Sequence, residues 1–106
     1  MMEQFSVYKN QGRNRQTYPY FITVQSDLLS HLSTRLVMPL AQKSEMNSQV
    51  KSLTPQITIN EYDYVVLPSM LTTTEVKNLS AQNFVQNAAE LRDKIVSAID
   101  LLVLGI

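Results

Sequence analysis

The sequence predicts a small α+β domain, mostly β, in which short strands build a barrel-like body and one helix closes the chain. Two observations carry this. Short runs of β-branched and aromatic residues recur between polar or proline-marked breaks. A helical period occurs only near the end, after the strands, so the chain is not a doubly wound α/β fold. The 106 residues suit a single domain spanning 1–106, and 44% hydrophobic composition supports a small core.

Taken in order, Phe5-Ser-Val-Tyr8 alternates apolar and polar, as a half-buried strand does. Lys9 to Tyr18 carries Lys9, Arg13 and Arg15 without an acid, and Gly12 and the lack of period mark an exposed, mobile loop. The loop is either a solvated hairpin connection or a docking surface for an acidic partner or phosphate. Tyr20 to Gln25 has the composition of a buried strand, entered through Pro19. Leu28-Leu29 follows it and either packs beneath its loop or forms an exposed patch.

Thr34 to Leu40 reads as a strand that Pro39, lacking an N–H, ends or confines to an edge. Ala41 to Pro55 is polar, with scattered Met46, Val50 and Leu53, and suits an irregular connection or a short helix. Gln56–Ile59 and Tyr62–Leu67 flank Asn60-Glu61 as a tight hairpin. Val76 and Leu79 mark a last short strand, and 80–86 reads as a linker.

The closing helix is expected from Asn87, with Glu90 at capping-box spacing. Ala88, Leu91, Ile95, Ala98 and Leu102 form one apolar stripe, and Val96, Ile99 and Val103 widen it. Glu90 and Asp93 suit the positive end of the helix dipole. Gly105 ends the helix, and the sequence stops at Ile106. Leu104 and Ile106 either fold back onto the core or are presented to a partner.

Composition narrows the chemistry. Net charge is zero, which disfavours a chain that coats nucleic acid. With no cysteine and one histidine, His31, neither a thiolate nor a multi-histidine metal site is available. Two glycines cannot form a phosphate-binding loop. No convincing acid–base pair stands out, so a binding protein without cofactor or metal is expected, not an enzyme. There is neither a signal peptide pattern nor an apolar run of membrane length, so a cytoplasmic location is expected.

Four blocks carry a resemblance. Phe5-Ser-Val-Tyr8, Val24-Gln25-Ser26-Asp27-Leu28-Leu29, Thr34-Arg35-Leu36-Val37-Met38-Pro39-Leu40, and Ala98-Ile99-Asp100-Leu101-Leu102 with terminal Gly105-Ile106 resemble, in order and spacing, the CcdB family of toxins. The resemblance implies an SH3-like small β-barrel with a C-terminal helix, assembled as a homodimer. It implies a poison that binds the gyrase A subunit and traps the enzyme on cleaved DNA. It also implies a CcdA-like antitoxin with a disordered segment, and operator DNA contacted only through the toxin–antitoxin complex.

Family gyrase contacts fall on Asp100, Val103, Leu104, Gly105 and Ile106, with Leu28 and Leu29 nearby. The basic residues Lys9, Arg13 and Arg15 are the expected antitoxin-docking site. Two positions depart from the pattern: Leu104 replaces a Trp of the best-known members, and Asp100 an Asn. The first removes a large flat anchor. Two other functions remain open. One is RNA cleavage of the MazF/Kid type, with Arg13, Arg15 and Arg35 as RNA contacts. The other is a non-toxic antitoxin partner and co-repressor.

Overall fold

Strand pairing in this chain follows the placement of its β-branched residues. The computed structural model describes residues 3–105. These form seven strands, β1 (Ser6–Lys9), β2 (Tyr20–Thr23), β3 (Thr34–Gln42), β4 (Gln56–Ile59), β5 (Tyr62–Val66), β6 (Thr72–Glu75) and β7 (Phe84–Asn87), followed by helix α1 (Arg92–Leu104). All pairings are antiparallel, in the order β4-β5-β3-β2-β1-β7, with β6 added to the first half of β3. The result is a curled half-barrel carrying a C-terminal helix, the small barrel-plus-helix architecture the sequence implies.

Register explains the core. Val7 lies opposite Ile22, and Ile22 opposite Met38, so these fully buried side chains form one row across three strands. Leu40 opposite Val66 continues that face, and Ile57 and Ile59 alternate into it from β4. Leu91 and Ile95 close the core from the helix side. The Asn60-Glu61 hairpin is present, and φ values of 51° and 73° give it the left-handed turn that matches strand twist.

Four expectations are corrected. β3 is central, not an edge, and runs on to Gln42 through Pro39. The Pro39 carbonyl accepts from the Leu67 N–H at 3.0 Å, so its nitrogen faces that same side. That side is where β3 changes partner from β6 to β5, so no ladder bond is lost. Val76 and Leu79 do not mark a strand: Val76–Asn78 is a 3-10 turn, and the strand is the threonine run before it.

The supposed linker holds β7, which pairs β1 through a bulge at Val7/Tyr8. The fourth correction concerns the helix start. Ala88 still donates to the Phe5 carbonyl at 2.7 Å, so the chain there remains tied to the sheet. Asn87 Oδ1 accepts from the Ala89 N–H at 3.0 Å, but the cap position falls on Ala88 and opens a 3-10 turn, Ala89–Leu91, before α1 begins at Arg92.

Candidate functional site

The apolar stripe on α1 is longer than the body it covers. Leu91, Ile95 and Ala98 are buried, but Leu102, expected to hold the helix, is 44% exposed. It borders Met46, Val50, Leu53 and Ser69 at the rim. One residue on, Val103 is 74% and Leu104 64% exposed, so Leu104 does not fold back onto the core. Ile106 lies outside the described residues.

Gly105 takes φ 73° and donates its N–H to the Leu101 carbonyl at 3.0 Å, which caps the helix. A Cβ there would meet nothing within 4 Å, so glycine is favoured by conformation, not by space. Asp100 is exposed in the C-terminal half of α1, whose last turn holds no basic residue. A carboxylate near the negative end of a helix dipole opposes helix stability, so folding does not account for it.

Leu28 and Leu29 sit on the 3-10 turn Asp27–Leu29 between β2 and β3. Leu28 is 90% exposed and Leu29 44%, so the pair forms a patch and does not pack under its loop. The turn is tied to Gln4, Gln25 and Ser26 by hydrogen bonds. None joins it to the helix tip among the described residues.

Lys9, Arg13 and Arg15 are exposed, as expected, but their loop is built on a buried hub. The Asn10 amide donates to Asn14 Oδ1 at 2.8 Å and to the Tyr18 carbonyl at 2.7 Å, and its Oδ1 accepts from the Gly12 N–H at 2.8 Å. These bonds give the exposed loop a defined turn. Among the described residues the ion pairs are Lys77–Glu75 and Arg92–Asp93, so the three basic side chains of the loop carry no bound carboxylate. Beside them opens a cleft of about 470 Å³ lined by Lys9, Asn10, Lys77 and Asn83 among others.

Reactive groups are scattered. His31 is exposed on a loop, and among the described residues no three His, Asp or Glu lie close enough to hold a metal. Burial pushes the phenols of Tyr8 and Tyr64 up, away from proton exchange near neutrality. Arg35, an expected RNA contact, is buried and donates to backbone carbonyls. Met46 and Val50, to which the sequence assigns no role, are exposed beside Leu102. Their only signal was apolar residues isolated in a polar stretch.

A family model described as CcdB protein matches residues 4–105, nearly the whole chain. Among curated proteins, none matches it.

Proposed function

Because this chain belongs to the CcdB family, toxins of toxin–antitoxin systems, we propose that it poisons DNA gyrase by binding the gyrase A subunit and trapping the cleaved DNA complex. The observation that carries the reading is the exposed tip of α1. Val103 and Leu104 project beyond the core on a helix end fixed by Gly105. An apolar tip of this kind loses little freedom on docking. Asp100, Gly105 and Ile106 complete this contact, and Leu28 and Leu29 provide a second one.

The protein acts as a homodimer, which presents two tips to a two-fold symmetric target. Exposed Val96, Leu102 and Met70 leave apolar surface on a single chain that a second copy can cover. A CcdA-like antitoxin docks an acidic, disordered segment on Lys9, Arg13 and Arg15, and operator DNA is engaged only through that complex. RNA cleavage gains no support, since Arg35 is committed to backbone carbonyls.

The test adds the protein to gyrase and supercoiled plasmid, then denatures and digests the mixture. Linear DNA should accumulate with toxin concentration, RNA incubated in parallel should stay intact, and the protein alone should sediment as a dimer of the 12.1 kDa chain. Intact plasmid together with cut RNA would replace the gyrase reading with the ribonuclease one. Neither product would favour the non-toxic partner.

A further inference from the structure

The turn that exposes Leu28 has no apolar anchor: none of its residues, Asp27–Leu29, is buried. Packing therefore does little to hold it. Beneath it lies Arg35, 7% exposed, at the start of β3. One guanidinium nitrogen donates to the carbonyls of Leu32 and Thr34, and the other to the Ser30 carbonyl at 2.6 Å. No carboxylate pairs with it among the described residues.

A buried charge is costly unless its donors are satisfied. Here loop backbone alone satisfies them. Gln25, also buried, completes the clamp: its amide donates to the carbonyls of Leu29 and Thr34, and its Oε1 accepts from the Leu36 N–H at 3.2 Å. The loop is thus gripped from below by polar groups while its leucines face outward.

We propose that Arg35 is a positioning residue for gyrase binding: its buried guanidinium, through the carbonyls of Ser30, Leu32 and Thr34, fixes the loop so that Leu28 and Leu29 meet the target preformed. The assignment rests on the gyrase reading of those leucines. A planar fork is required, because it reaches several carbonyls in fixed directions, whereas a lysine ammonium is a single flexible point charge. Without the fork the carbonyls turn to water, and the loop must be reordered on each binding event.

The test measures binding of the full-length chain to the dimerisation region of gyrase A, for the parent, Leu28→Ala, Arg35→Met and the double variant. Amide hydrogen exchange and thermal melting are followed on each. Arg35→Met should weaken binding about tenfold, as expected for lost preorganisation, and should speed exchange at residues 28–32. In the Leu28→Ala background it should weaken binding by clearly less than in the parent, because the part of its effect that runs through Leu28 is already lost.

Arg35→Lys should behave like Arg35→Met, and it decides the matter if the methionine variant does not fold. A general structural defect would instead lower affinity equally in both backgrounds, and that result overturns the proposal. So does parent-like affinity in Arg35→Met while Leu28→Ala is weakened. Parent-like binding by Leu28→Ala itself removes the gyrase reading of this turn, and the role of Arg35 with it.

Discussion

Single side chains in this protein divide between holding the fold and facing outward, and α1 carries both kinds. Ile95 is buried at the helix–sheet contact, whereas Leu104, nine residues on, lies mostly in solvent. Ile95→Ala should cost about 2–5 kcal/mol of stability, the range for truncating a buried aliphatic side chain, read as a lower denaturation midpoint. Leu104→Trp should leave that midpoint unchanged and tighten gyrase binding, by adding a flat aromatic anchor to the tip. Periodicity identifies Ile95 and Leu102 alike but does not show where the barrel stops covering the helix, so it places Leu102 inside, whereas Leu102 is 44% exposed. Pro39 lies within central β3 for a similar reason. Its missing donor is harmless only because β3 changes partners there, and no local rule reports that.

At the scale of elements, composition was a good guide where a segment's own residues decide its structure. The hairpin at Asn60-Glu61, β2 and the body of α1 are of this kind. It failed where a distant partner decides. Strand β7 carries Gln and Asn and is extended because β1 pairs with it. The same pairing delays α1 to Arg92, despite a capping pattern at Asn87. The basic loop is a local element again, folded on Asn10. Its positive charges should steer an acidic antitoxin segment. Arg13→Ala with Arg15→Ala should therefore slow association and flatten its dependence on salt, with little change in dissociation. Equal on-rates at low ionic strength would place the docking site elsewhere. Arg35 belongs to the same lesson. Its sequence block marked the family, but its role beneath the Leu28 turn is visible only when the carbonyl acceptors are in place.

For the whole molecule, the half-barrel serves as a mount: the sheet buries one side of α1 and leaves the last turn of the helix beyond the core. A run of short strands followed by one helix was legible in the sequence, but the pairing order of the strands was not, since β3 lies at the centre of the sheet and β7 is held by β1. The contacts that hold the Leu28 turn, to Gln4, Gln25 and Ser26, were not legible, since they depend on which segments the sheet brings beneath it. The proposed role of the tip requires that it act on the target and contribute little to folding. Deletion of residues 104–106 tests it most directly, with melting and gyrase-dependent DNA cleavage measured on the same preparation. The melting temperature should stay within about 4 °C of the parent, as for changes away from the core, while linear DNA no longer accumulates. A truncated protein that still traps cleaved DNA, or one that melts as early as Ile95→Ala, would contradict the account.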